Sequence, residues 1–240
     1  MHSSGKYNSL SIIEQNVSYY NAIAQRYDEI LDGDKGNRTV REKVASAFTK
    51  LIPAGLVLDF GGGTGKDLGW LIDKGYNVIF CEPSVNMREK AIAFHEKSLP
   101  HGKVVFLDDT ASDFTTWQTR LPFSEKADAV LSNFAVINSI PDIELFFKNI
   151  SLVIRSGGFL LMLVLKCDLK KKWQSHRLAT LLSVFTSYTV TASVQFDGQT
   201  QKVYLYTIRK IIKLAKPYFL FQSRQSFSDK GFELLHFTKR

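Results

Sequence analysis

Cysteine is scarce: Cys81 and Cys167 are the only two in 240 residues. So few exclude a disulfide-stapled secreted scaffold and a structural zinc site. Long apolar runs are missing as well. The most apolar stretch, Phe159 to Leu165, is far shorter than the ~18–20 residues that cross a bilayer, so no membrane span is expected. The opening residues, Met1 to Leu10, are polar and unlike the apolar centre of a secretory signal. A soluble, cytoplasmic protein is therefore expected. Internal repeats and low-complexity linkers are absent too. Basic residues exceed acidic ones by a formal +8, with a pI near 9.4. They are mostly scattered, without the stripe that marks a nucleic-acid or anionic-surface binder. The one basic cluster, Lys170-Lys171-Lys172 with Trp173 and Arg177, reads as a solvated helix face.

What is present suffices for a full core. Apolar residues make up 45% and aromatics 12%, which excludes global disorder. Charged residues, at 22%, match the globular average. Residues 1–10 read as a loose polar arm. From Ser11 the spacing turns helical, with Ile13, Val17, Tyr20, Ala24, Tyr27 and Leu31 in one stripe. Turn formers from Asp32 to Asn37 break the chain, and a second helix carries Val40, Val44, Ala47 and Leu51 as far as Pro53 and Gly55.

Beyond Gly55 short apolar strands alternate with helices. Strands are predicted at Leu56–Phe60, Asn77–Cys81, Val104–Leu107, Ala127–Leu131 and Phe159–Leu165, and helices at Lys66–Lys74 and Val85–Lys97. Pro141 sits in the first turn of a further helix with Ile143, Phe146, Ile150 and Val153 on its buried face. Ser156-Gly157-Gly158 reads as its C-cap. This alternation predicts a doubly wound α/β domain, with a mostly parallel sheet and helices on both faces. The last third departs from the rhythm. Lys170–Leu182 reads as a helix, and Thr189–Phe196 with Gln199–Tyr206 as a hairpin around Asp197-Gly198. A two-residue turn there sets Ala192 opposite Val203 and Val190 opposite Leu205, with Tyr204 and Tyr206 on the other side. Ile208–Ala215 reads as a helix stopped by Pro217, and Phe219–Gln225 and Phe232–Phe237 as closing strands.

The most informative stretch runs from Leu56 to Asp67. An apolar strand ends in Asp59, and Gly61, Gly62, Gly63 and Gly65 precede a helix. A merely tight turn needs one or two glycines; four let a ligand approach the bare backbone. At the carboxyl end of the first strand, this turn lies where open α/β sheets bind ligands. A P-loop reading fails twice, because Phe60 stands at its first glycine and Asp67 replaces its magnesium-binding hydroxyl. A dinucleotide fingerprint started at Gly61 has Lys66 at its third glycine, and started at Gly63 it has Leu68. Asp59 also disfavours a phosphate ligand and would instead attract a cation.

The pattern Asp-x-Gly-x-Gly-x-Gly is met in full by Asp59, Gly61, Gly63 and Gly65. It resembles the cofactor motif of class I S-adenosylmethionine-dependent methyltransferases of the small-molecule type. The resemblance continues in order: Glu82 at the end of the second strand, then Pro83 to Met87, Asp108-Asp109 after the third, and Ala127 to Ala135 around the fourth. It implies S-adenosyl-L-methionine as cofactor, with Glu82 accepting from the ribose hydroxyls and Met87 packing on adenine. It also implies Asp109, or else Asp108, on the adenine amino group, and Asn133 and Phe134 at the mouth between methionine moiety and acceptor. Tyr20 or Tyr27 would stand near the methionine moiety. The fold implied is a Rossmann-like, seven-stranded, mostly parallel sheet whose last strand runs antiparallel, with an N-terminal helical lid and an inserted β-hairpin. The chain then divides into arm and lid (1–52), cofactor-binding core (53–166), inserted helix and hairpin covering the acceptor (167–206), and closing helix and strands (207–240).

Methyl transfer from a sulfonium is an in-line displacement, in which proximity and exclusion of water count most. No His/Asp pair or carboxylate dyad marks a general base, and His176, His95 and His101 read as ordinary histidines. No metal ligands are expected. The Asn-Pro-Pro-Tyr-type tetrad of amide and adenine methyltransferases is missing, since Ser132-Asn133-Phe134-Ala135 lacks both prolines. That argues against a nucleic-acid acceptor. The aromatics Tyr19, Tyr20, Tyr27, Phe185, Tyr188, Tyr204 and Tyr206 suit an enclosed pocket for a small, partly apolar acceptor. The apolar hairpin face would cover that acceptor or form a homodimer contact. Two other readings stand beside methyl transfer: a nucleotide-dependent oxidoreductase, and a catalytically inactive partner subunit.

Overall fold

The computed structural model describes residues 3–33, 35–98, 100, 102–166, 189–227 and 231–240. Five apolar segments form β1 (Leu56–Phe60), β2 (Asn77–Cys81), β3 (Val104–Phe106), β4 (Ala127–Ser132) and β5 (Ile154–Leu165), all parallel. Two more, β8 (Phe219–Phe227) and β9 (Phe232–Lys239), complete a seven-stranded sheet of order β3-β2-β1-β4-β5-β9-β8. Here β9 alone runs opposite to the other six strands. This is the doubly wound, mostly parallel sheet of the Rossmann-like methyltransferase fold.

Strand alternation divides the core between the two faces. Leu58, Phe60 and Val130 pack with Phe146, Phe147 and Ile150 of α6 (Ile143–Val153) and with Ile211 and Ala215 of α7 (Ile208–Ala215). Val57, Leu131 and Phe80 pack on the other face, with Val40, Val44 and Phe48 of α2 (Lys35–Leu51) and Leu68 and Leu71 of α3 (Leu68–Asp73). Between them in sequence come α4 (Val85–Ser98) and the short α5 (Asp109–Ser112). Before them all stands α1 (Ser3–Asp32).

Three local expectations are corrected. The polar arm is helical from Ser3, since the absence of an apolar stripe says what a segment buries, not whether its backbone coils. Pro141 lies before the helix, because Asp142 is the N-cap of α6 and its carboxylate accepts from Leu145 N at 2.9 Å. Ser156-Gly157-Gly158 does not cap α6, which ends at Val153. The three residues lie inside β5, where the register jumps from Ala127↔Ile154 to Ala129↔Phe159. Gly157 has φ +73°, and a Cβ on Gly158 would stand 2.8 Å from Asp128 O. These glycines therefore form a bulge. The helix expected over Lys170–Leu182, with His176, Phe185 and Tyr188, lies outside the described residues, as do Cys167 and His101.

The hairpin, β6 (Thr189–Phe196) and β7 (Gln199–Tyr206), forms as expected with Ala192↔Val203 and Val190↔Leu205. Asp197 and Gly198 have φ +46° and +72°, the twist that a two-residue turn needs. Too small to hold itself, it is sewn to its neighbours by buried amides and phenols. Asn138 Nδ2 donates to Tyr204 O (2.7 Å) and Leu165 O (3.1 Å), and Leu165 N donates to Asn138 Oδ1 (2.8 Å). Tyr206 OH donates to Ile140 O at 2.6 Å. Asn16 of α1 donates to Lys202 O and accepts from Lys202 N.

Because Asn138 is buried, Asn138→Ala would orphan polar groups at the junction of β5, β7 and the turn after β4. The expected loss is about 2–4 kcal/mol of stability, read by urea denaturation. A loss below about 1 kcal/mol would show that the hairpin holds without this amide.

Candidate active site

The ends of β1, β2 and β4 and the length of α1 enclose a cavity of about 440 Å³, within the range of small-molecule sites. The floor begins with the glycine turn. Gly61 has φ +75°, and a Cβ there would stand 2.5 Å from Val136; one on Gly62 would stand 2.2 Å from the Phe80 ring. Neither site admits a side chain. Gly61 N donates to Cys81 O at 2.8 Å, and Gly63 N donates to Glu82 Oε2 at 2.9 Å. Ser84 N donates to the other oxygen, Oε1, at 2.8 Å. Glu82 is thus fixed by one bond to each oxygen, and a carboxylate retains about two further lone pairs for a ligand. Burial raises the Glu82 carboxyl to about 7, despite the lowering effects of these two amides and Arg88.

Asp67 ties the turn to the rest of the site. Its carboxylate accepts from Trp70 Nε1 (2.8 Å) and Asn133 Nδ2 (3.0 Å) and pairs with Arg41 (2.5 Å). The Arg41 guanidinium also lies over the Phe134 ring, 4.4 Å from its centroid. Phe134 and Ala135 have φ +49° and +64°, strained values for non-glycine residues that cluster at functional sites. Asn133 Oδ1 accepts from Phe134 N, and Ala135 N donates to Leu163 O, so the strained pair is held on both sides.

Of the residues singled out in the sequence, Tyr20, Tyr27, Gly61, Gly63, Glu82, Met87, Asn133 and Phe134 line this one cavity. Asp59, Gly65, Asp108 and Asp109 do not. Asp59 is 1% exposed beneath the turn, and its Oδ2 has no hydrogen-bond partner. Burial first, then Asp67 and Glu82, push its carboxyl well above the usual range against the pull of Arg41. Gly65 packs on Ala91 of α4. Asp108 caps α5 by accepting from Ala111 N at 2.8 Å. Asp109 pairs with Arg88, and its side chain is 70% exposed. In their place Ser112, Asp113 and Phe114 reach the cavity. The sequence reading also missed Arg41, Thr64, Asp67 and Ser139 as lining residues. Only Thr64, inside the glycine motif, and Asp67, next to it, carried any signal.

The stripe on α1 faces the cavity. Ile13, Asn16, Val17, Tyr20, Tyr27 and Leu31 line it, while Ile12, Tyr19 and Ile23 are buried without lining it. Burial, the first cause in each, raises the Tyr20 and Tyr27 phenols, so both remain protonated hydrogen-bond donors. Asp28 accepts from Thr64 Oγ1 (2.5 Å) and stands 3.4 Å from Lys90. Asn21 Oδ1 accepts from Ser84 Oγ (2.7 Å) and Asn86 N (3.1 Å). None of the described hairpin residues lines the cavity. Gln201 nevertheless donates to two residues that do, Tyr20 OH (2.7 Å) and Ser139 Oγ (2.9 Å). No group of metal-ligating side chains occurs among the described residues, and no described helix is long and apolar enough to cross a membrane.

A sequence profile described as a methyltransferase domain matches residues 31–216, most of the chain. The protein belongs to this family of class I S-adenosylmethionine-dependent methyltransferases, and S-adenosylmethionine is its cofactor. Solved structures share the fold. DhpI in complex with SAH has 18% identity over 95% of this chain and 97% of that one, with a TM-score of 0.67. The PH0226 protein from Pyrococcus horikoshii OT3 has 19% identity over 86% and 92%, with a TM-score of 0.64. The 1,6-didemethyltoxoflavin-N1-methyltransferase of Burkholderia thailandensis has 14% identity over 91% and 88%, with a TM-score of 0.60. A search of curated protein sequences gives no significant match.

The raised Glu82 carboxyl makes stability depend on pH. Its folded value, about 7, exceeds the ordinary 4.5, so between these the native protein holds a proton that the unfolded chain has released. The contribution is full below about pH 4.5 and is lost as pH rises through about 7. From about pH 5 to about pH 8, the wild type should therefore lose up to about 3 kcal/mol more stability than Glu82→Gln, read from urea unfolding. Equal losses would mean that Glu82 is already ionised in the native protein at the lower pH.

Proposed function

We propose that the cavity holds S-adenosylmethionine with its methionine end at the Gly61–Gly63 turn, its ribose on Glu82 and its adenine beside Met87. The methyl acceptor is a small, partly apolar molecule. The arrangement of Glu82 carries the reading: one backbone amide occupies each oxygen, and the remaining lone pairs match the two donors of a ribose diol. Asp67 and Glu82 beside the turn suit a cationic ligand and repel a phosphate.

The bound cofactor supplies an activated methyl group on a sulfonium, transferred in line to a nucleophile of the acceptor. The chain's own contribution is placement and dryness. Leu10, Ile13, Val17, Val136 and Ile140 give the cavity an apolar wall, which seats an apolar acceptor and excludes water. Tyr20 and Tyr27 orient ligands as neutral donors rather than as bases. The hairpin contributes at one remove, through the hold of Gln201 on Tyr20 and Ser139.

Calorimetry with S-adenosylhomocysteine, NAD and NADP in parallel tests this reading. Binding of the first alone is expected, and Glu82→Ala should weaken it at least about tenfold, through lost bonds of ~1.5–3 kcal/mol each. An unchanged dissociation constant in that variant would overturn the placement, and binding of NAD or NADP instead would overturn the function.

A further inference from the structure

A second cavity, of about 220 Å³, adjoins the glycine-turn end of the first and is lined by Leu31, Asn37, Arg38, Arg41 and Lys66. Leu31, Arg41 and Lys66 line both cavities, so the smaller is an annex of the larger. Their charges differ in kind. The main cavity has Glu14, Asp67, Glu82 and Asp113 in its walls beside Arg41 and Lys66, whereas the described charged residues lining the annex are all cations.

We infer that this annex binds an oxyanion, a carboxylate or phosphoryl group, carried by the methyl acceptor. The inference rests on the methyl-transfer reading above and goes beyond it by giving the acceptor a charged end as well as an apolar body. Arg41 is held in place by Asp67 at 2.5 Å and the Phe134 ring at 4.4 Å. A guanidinium has five N–H donors, so one carboxylate leaves others to offer. Arg38 stands one turn earlier on α2, on the same side as Arg41. Arg38 is exposed and has no carboxylate partner among the described residues. Asn37 Nδ2 donates to Leu31 O at 2.9 Å, which fixes that wall to the end of α1. Two guanidinium groups and an ammonium, the last 3.9 Å from the Asp28 carboxylate, suit a planar or tetrahedral oxyanion better than any neutral group. The cofactor has one carboxylate, and Arg41 can meet it from the main cavity. Arg38, which lines only the annex, is left for a second anion.

The test separates the annex from the cofactor site. Full-length protein saturated with S-adenosylhomocysteine is titrated with inorganic phosphate and, separately, with acetate. Sodium chloride at matched ionic strength is the control, and the Arg38 side-chain Nε–H signal is followed by NMR. Saturable binding to the loaded protein is expected, weakened at least about fivefold in Arg38→Ala while the affinity for S-adenosylhomocysteine stays unchanged. Tighter binding of phosphate than acetate assigns a phosphoryl group, and the reverse a carboxylate. Three results would overturn the inference: binding no stronger than in the chloride control, equal binding in the variant, or competition between phosphate and S-adenosylhomocysteine. The last would make the annex part of the cofactor site. Failure of S-adenosylhomocysteine to bind at all would be seen before any anion is added, and it refutes the methyl-transfer reading instead.

Discussion

A carboxylate that is 4% exposed must be matched by donors, and Asp67 imposes that demand on three parts of the chain. Arg41 comes from α2, Trp70 from α3, and Asn133 from the loop after β4. Each is far from the others in sequence, and each is fixed by the same two oxygens. The glycine turn, the strained Phe134-Ala135 pair and the guanidinium on the Phe134 ring all inherit their positions from this cluster. Removal of any one donor leaves a buried charge short of partners, which costs more than the bond itself contributes.

The same matching of charge governs the cavity. Asp67 and Glu82 flank the turn, and Arg41 pulls against the burial and the neighbouring carboxylates that raise the Asp59 carboxyl beneath it. The turn is thus poised for a ligand that brings positive charge of its own, as a sulfonium and an ammonium do. Basic charge gathers instead one step away, in the annex. The main cavity mixes both signs, while the described charged residues of the annex are all basic, a contrast that the overall +8 conceals.

Sequence reasoning was strongest where one residue pattern admits one geometry. Asp197-Gly198 fixed the hairpin register residue by residue, and the alternation of apolar segments with helices gave the five parallel strands, though not their order. It was weaker where a pattern serves two purposes. The Ile13-to-Leu31 stripe looks the same whether it packs on a core or lines a cavity. Glycines at 157 and 158 serve a helix end or a bulge equally well, and only the register against β4 decides. Asp108, Asp109 and Asp113 are alike as residues, and the short α5 between them determines which one reaches the cavity. Arg41 carried no signal at all, because its partners lie at residues 67 and 134, beyond the reach of any local pattern.

The way α1 is fastened has a thermodynamic consequence. Its bonds to the body of the protein run through Asn16, Tyr20, Asn21 and Asp28 and through Lys90 to the carbonyls of Ala24 and Gln25. The apolar cluster beneath it is small: Tyr19, Ile23, Ala24 and Met87 at its centre. Heat capacity rises when apolar surface meets water and falls when polar surface does. Lifting this helix exposes both kinds, so the two contributions offset one another. Its detachment should follow a nearly straight van't Hoff line, while unfolding of the sheet, with its two large apolar cores, follows a curved one. Warming would then loosen the roof of the cavity steadily, at temperatures where the floor is still close to its maximum stability.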